Sequence, residues 1–291
     1  MLKRFVLITI AIAILSCSKP AKTLDVRLAE ELDRLDASLQ ALEKMPLPDE
    51  LKSVPKAHRQ AVARARATTA TDLRLYRIRA AYIGVEMLAF LNEQKKAGES
   101  MAAFRALWNQ RKADFDAKPA GRGSLLERAL AEAAGNRAEK LFTASLPYAE
   151  STDAFTGLYY FAEAEGNLRF RRFVESLPNE GEGKHPDAGA VRAGLEGLEA
   201  KTLQKFEGDR SGRTTIAVSA RSKEARELLE QNFVDGAALT LIESRMLLER
   251  QTADEGVPAA LLALTRQGAV ASAKPVRPAS VTVTLVRWPY T

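Results

Sequence analysis

The sequence predicts an all-α fold of stacked antiparallel helical hairpins, an α-solenoid-like or irregular helical bundle, with a short C-terminal β-strand. Three observations carry this. Apolar residues recur at spacings of three and four along most of the chain, the signature of helices with one buried face. A 17-residue motif occurs twice. Alternating β-branched residues are confined to the C-terminus. With 46% hydrophobic and 27% charged residues of mixed sign, the chain can bury a substantial core and is unlike a disordered polyanion or polycation.

The first predicted helix is the plainest. Leu24, Leu28, Leu32, Leu35, Leu39, Leu42 and Met45 form one stripe, and the prolines of MPLP (45–48) end it. The stripe covers too few heptads for a coiled coil to be preferred over packing on the next helices. A second helical region spans residues 56–96, with Thr71 and Asp72 as cap candidates for its second half and Gly98 after its end. Met101, Phe104, Leu107, Trp108 and Phe115 follow at near-helical spacing and read as core. After the loop KPAGRG (118–123), a helix starts near Ser124.

AEAAGNRAEKLFTASLP (131–147) then aligns without gaps on AEAEGNLRFRRFVESLP (162–178), nine of 17 positions matching at a period of 31. Such periods accompany stacked supersecondary units. Gly-Asn suits a tight turn between two helices and each proline a helix stop, so each unit reads as helix, turn, helix, Pro. The alternative is two continuous helices whose glycines admit a close neighbour. The layout, GLYYFAEAEGN (157–167) above all, resembles tetratricopeptide-type helical hairpins over about 124–178, with a shorter period and a shortened second helix.

The polar stretch PNEGEGKHP (178–186) is the best internal boundary. A helical pattern resumes at 187–206, the loop EGDRSGR (207–213) follows, and TTIAVSA (214–220) reads as a short strand or a helix start. Residues 222–251 read as one long helix, and a further one follows Pro258. SVTVTLVRW (280–288) has a strand pattern that needs a partner for its backbone: TTIAVSA, a second copy, or another protein's sheet edge. The expected organisation is residues 1–16 as a signal peptide, 17–22 as a tether, 23–178 and 187–270 as helical regions packed together, and 276–291 as the strand tail.

The N-terminus carries an address. Lys3 and Arg4 precede an apolar run over residues 5–15 that is too short to span a bilayer, which takes about 20 residues. Ile14-Leu15-Ser16-Cys17 follows, and Cys17 is the only cysteine. This resembles the lipobox of bacterial lipoproteins, although Leu15 is larger than the pattern's usual residue. The resemblance implies cleavage before Cys17, with a diacylglycerol thioether and an N-acyl chain on that residue as the membrane anchor. Ser18 in place of Asp leans toward an outer-membrane protein facing the periplasm. The rival reading is a secreted protein with an ordinary cleavage site. Cleavage removes Lys3 and Arg4 from a formal charge of +6, and an acylated Cys17 leaves no thiol for disulfides, redox chemistry or thiolate metal sites.

Catalytic signals are absent. His58 lies among basic residues and His185 lies before Pro186, with no metal-ligand spacing at either, so both read as solvated surface. No Gly-x-Ser-x-Gly occurs. AGRGS (120–124) has anion-cradling potential but lacks the Gly-Lys-Ser/Thr of a phosphate loop, and Glu163 and Glu165 fall on different helix faces. LRFRRF (168–173) mixes aromatic and basic residues, but an exported protein rarely meets nucleic acid, so anionic envelope components or a solvated face suit it better.

The expected function is therefore a lipid-anchored helical-repeat scaffold for envelope proteins, not an enzyme, with no cofactor or metal. Tyr159, Tyr160, Arg169 and Arg172 are candidate partner contacts. The alternative is an envelope protein binding a small molecule or lipid between its helices, and a hydrolase would require His58 or His185 beside a carboxylate in a cleft.

Overall fold

The computed structural model describes residues 22–45, 53–178, 181, 183–205, 213–249 and 255–267. Among these there are ten α-helices: α1 (Leu24–Leu42), α2 (Val54–Arg66), α3 (Thr71–Glu93), α4 (Met101–Phe115), α5 (Leu125–Ser151), α6 (Ala154–Glu175), α7 (Ala188–Lys205), α8 (Arg213–Glu230), α9 (Val234–Leu248) and α10 (Val257–Gln267). A 3₁₀ turn, Lys95–Glu99, links α3 to α4. None of the described helices is long and apolar enough to cross a membrane.

The all-α prediction holds for the described residues, none of which forms a strand. The strand expected at 280–288 lies outside them. One of its proposed partners is removed, because TTIAVSA is helical, part of α8.

Local chemistry sets the helix starts. Thr23, Ser100, Ser124 and Asp153 each accept a backbone N–H of the first turn, and Ser124 with Glu127 forms a reciprocal capping box. Asp187 does the same for Ala190 ahead of α7. The leucine stripe of α1 is buried along its whole length against α2 and α3.

The repeat resolves in favour of its alternative. α5 and α6 run unbroken through Gly135-Asn136 and Gly166-Asn167, and the turn between them is Thr152-Asp153. Pro147 sits inside α5, whereas Pro178 lies beyond the end of α6. The glycines serve packing instead. A Cβ at Gly166 would lie 2.5 Å from the carbonyl oxygen of Ile83 on α3. One at Gly157 would lie 2.3 Å from the Cβ of Ala149 on α5. Backbones this close bring α3, α6 and α5 together over their lengths.

Antiparallel hairpins do occur, as α2–α3, α5–α6 and α8–α9, with α3 lying on α6 and α9 on α5. α10 packs on α9, α5 and α3, a contact from late to early chain that a nearest-neighbour solenoid would not make. The architecture is an irregular helical bundle around one continuous core. Phe142 anchors its aromatic part, stacked at 4.2 Å on Phe115 and 4.5 Å on Trp108, with Phe161 edge-on at 5.1 Å. The Trp108 indole N–H donates to the Phe142 carbonyl at 3.2 Å.

The long helix expected over 222–251 is two helices. Asn232, at φ 63°, ends α8 in the left-handed region, and the Phe233 N–H closes the cap on Leu228 O at 2.8 Å. The turn permits α9 to fold back along α8 and reach α5.

Candidate functional site

Cys17 lies outside the described residues. Tyr159 and Tyr160 are half-buried on α6. Tyr160 lies flat on Tyr148 with ring centres 4.0 Å apart and edge-on to Tyr159 at 6.3 Å. Burial and the Tyr148 hydroxyl both raise the Tyr160 pKa. Tyr148 and, nearby in sequence, Phe155 are exposed. Arg169 is engaged within the chain: it binds Glu165 at 2.9 Å and Glu86 at 2.7 Å, which in turn bind Arg111 and Arg34. That network ties α1, α3, α4 and α6. Arg172 pairs with Asp114 at 2.9 Å. Their charges are met by carboxylates of the same chain, and they lie about two and a half to three and a half helical turns along α6 from the tyrosines.

Neither histidine is plain solvated surface. The His58 imidazole fills the space left by Gly84, where a Cβ would lie 2.0 Å from its ring, and burial pushes its pKa down to about 4. His185 is exposed, yet its Nδ1 is 3.0 Å from Oδ2 of the fully buried Asp235. Asp235 also accepts from Arg128 Nε at 2.6 Å, while the other Arg128 nitrogens donate to the carbonyls of Gly123 and Gly183. Arg128 thus pins two connecting segments and the start of α9 to α5. One turn on, Glu132 accepts from the Gly236 N–H at 2.7 Å. Burial, reinforced by Asp235, raises the Glu132 pKa to about 7 despite that bond. The partners of His185, Asp235 and through it Arg128, are those of a structural staple.

The cleft lies elsewhere. A 640 Å³ opening runs between α3, α5, α6, α8 and α9. Five cations line it, Arg79, Arg137, Lys140, Arg221 and Lys223, against three carboxylates, Glu224, Glu227 and Glu243. At its inner end Glu243 is almost fully buried. It accepts from the Tyr76 hydroxyl at 2.8 Å and from both Arg79 and Arg221. Burial alone would raise the Glu243 pKa, but the two guanidiniums outweigh it and hold the carboxyl below its ordinary value.

Along the wall, Lys140 pairs with Glu227 and Arg137 with Glu163, and Lys223 has no carboxylate partner among the described residues. Burial lowers the Lys140 pKa, and the nearby charges of Arg137 and Lys223 add to this while Glu224 opposes it. Ala133, Ala134, Ala217 and Ala220 keep the middle of the cleft open, beside Ile83 and the side chain of Asn167. The described residues contain no cluster of three or more His, Cys, Asp or Glu that could hold a metal ion.

Sequence reasoning did not find this site. Arg79 and Glu243 are 164 residues apart, and isolated charges on helices read as solvated faces. The available signal was Tyr76 and Arg79, a phenol and a guanidinium three apart on one face of a helix otherwise rich in apolar residues. In comparison with known proteins, no family model, no curated protein and no solved structure matches the chain.

Proposed function

We propose that the protein is a lipid-anchored binding protein of the bacterial envelope, tethered through Cys17, whose ligand site is the cleft between α3, α5, α6, α8 and α9. The carrying observation is the cleft itself: 640 Å³, lined from five helices, with small residues at its centre and polar groups converging from its walls. The lipobox-like Ile14-Leu15-Ser16-Cys17 supports the anchor.

Native mass spectrometry of the full-length protein, extracted from its membranes in detergent, tests this reading. The expected result is a non-covalent small-molecule adduct that is lost when Ala217→Trp fills the cleft. An adduct unaffected by that change, or none in the unaltered protein, would end it. The anchor has its own check, because Cys17→Ala should abolish labelling by a palmitate analogue and release the protein from membranes. A second reading, the scaffold, draws on exposed Tyr148 and Phe155 at the α5–α6 turn. Tyr148→Ala with Phe155→Ala should then remove a cross-linked partner while leaving the adduct intact.

A further inference from the structure

We infer that the cleft takes a small organic anion, with its acid group held by the cationic wall of Arg137, Lys140, Arg221 and Lys223 and its apolar body lying along the alanines at positions 133, 134, 217 and 220. The inference rests on the cleft being the ligand site, and it names the ligand's chemistry.

Charge accounting around the cleft is the first support. Arg79 and Arg221 both bond one carboxylate, Glu243, with Glu224 a second acidic neighbour of Arg79. Lys223 pairs with no carboxylate among the described residues, and with Glu163 counted from outside the lining, five cations stand against four carboxylates. The lining keeps an excess of positive charge, and low-dielectric walls concentrate its field on whatever enters. An arriving carboxylate or phosphate would relieve the crowding of Lys140 by Arg137 and Lys223.

Shape is the second support. Glu243 is satisfied by three donors and buried, so it is part of the wall and presents little to a ligand. Four alanines and Ile83 leave an apolar strip beside the cations, which suits a body larger than a bare ion. Asn167 spends its Nδ2 on the Glu163 carbonyl at 2.9 Å, leaving its Oδ1 as an acceptor for a ligand hydroxyl or amide. A cationic ligand would meet like charge on both walls, and a neutral one would leave the excess uncompensated.

Calorimetric titration of the full chain with four probes tests this: phenyl phosphate, inorganic phosphate, benzyl alcohol and benzylamine. Phenyl phosphate should bind about tenfold more tightly than inorganic phosphate, with no heat from the alcohol or the amine. Lys140→Gln with Lys223→Gln should weaken phenyl phosphate about tenfold and flatten its salt dependence. Ala217→Trp, or the more exposed Ala220→Trp, should abolish it, whereas Ser219→Trp, in the separate cleft between α7 and α8, should not. If benzyl alcohol or benzylamine binds as well as phenyl phosphate and Ala217→Trp removes it, the cleft stands and the anion assignment falls. If no probe binds while the native adduct is still lost in Ala217→Trp, the anion assignment again falls alone. If phenyl phosphate binding survives both tryptophans, the anion sits elsewhere and the inference is overturned.

Discussion

The two copies of the AEA-GN-F-SLP motif share most of their distinctive residues and almost none of their surroundings. In α5, Glu132 is buried against the Gly236 N–H of α9. Its counterpart in α6, Glu163, is half-exposed and pairs with Arg137. Gly135 faces the side chains of Pro119 and Arg171, while Gly166 faces the backbone of Ile83. Asn136 is bonded across to Gln231 in the turn after α8, and Asn167 bonds back to its own helix. Only the serines behave alike: Ser145 donates to Phe142 O at 2.6 Å and Ser176 to Phe173 O at 2.7 Å. Similar sequence fixes the helical state and the local bonds, while the neighbour across the interface decides what each residue does.

Gly166→Ala should break this comparison most sharply. Its new Cβ meets backbone, which cannot step aside without moving α3, so a cost of about 3 kcal/mol is expected. Gly135→Ala meets only side-chain atoms at 3.0 and 3.2 Å, and the roughly 1 kcal/mol gain in helix propensity should leave it near neutral. Equal losses for both in denaturant unfolding would show that the two interfaces are equivalent after all.

The carboxylates come next. The folded Glu132 pKa is about 7 against an ordinary 4.5. A carboxyl raised in this way gives its full stabilisation below the unfolded value, and loses it as pH rises through the folded one. The protein should therefore lose about 2 kcal/mol between pH 4.5 and 7 through this group. Glu132→Gln should remove that slope, while Glu163→Gln, at a half-exposed pair, should change stability by less than about 0.5 kcal/mol at any pH. Thermal unfolding across that pH range reads both.

Pro147→Ala restores an N–H donor inside α5 and should stabilise by about 1 kcal/mol, less than the full interior-proline penalty because the unfolded chain also gains freedom. Pro178→Ala, outside any helix, should cost a few tenths of a kcal/mol through the unfolded chain alone. Ser145→Ala and Ser176→Ala should each cost roughly 0.5–1 kcal/mol, and by similar amounts, since both remove the same local bond.

Legibility in the sequence follows the same division. The α1 stripe was readable because that helix buries one face and leaves the rest in water. α5, α6 and α9 are packed on several sides, so apolar periodicity says little about them. Gly135 and Gly166 carry the chemistry of a turn and of a close approach equally well, and only the presence of Ile83 decides. Asn232 ends α8 with a positive φ that no glycine or proline advertised. The candidate cleft was illegible for a different reason: its cations come from three helices, and no spacing along the chain records that they converge. His185 was rightly read as exposed, but its tie to Asp235, 50 residues on, was invisible.

The Arg128 staple also sets a timetable. Its carboxylate partner lies 107 residues downstream, so a chain delivered N-terminus first at about 5–20 residues per second holds that guanidinium without its Asp for roughly 5–20 seconds. Until α9 arrives, the start of α5 must keep its arginine hydrated and its loops undocked. The N-terminal hairpins can form early, but the staple locks only when Asp235 reaches it.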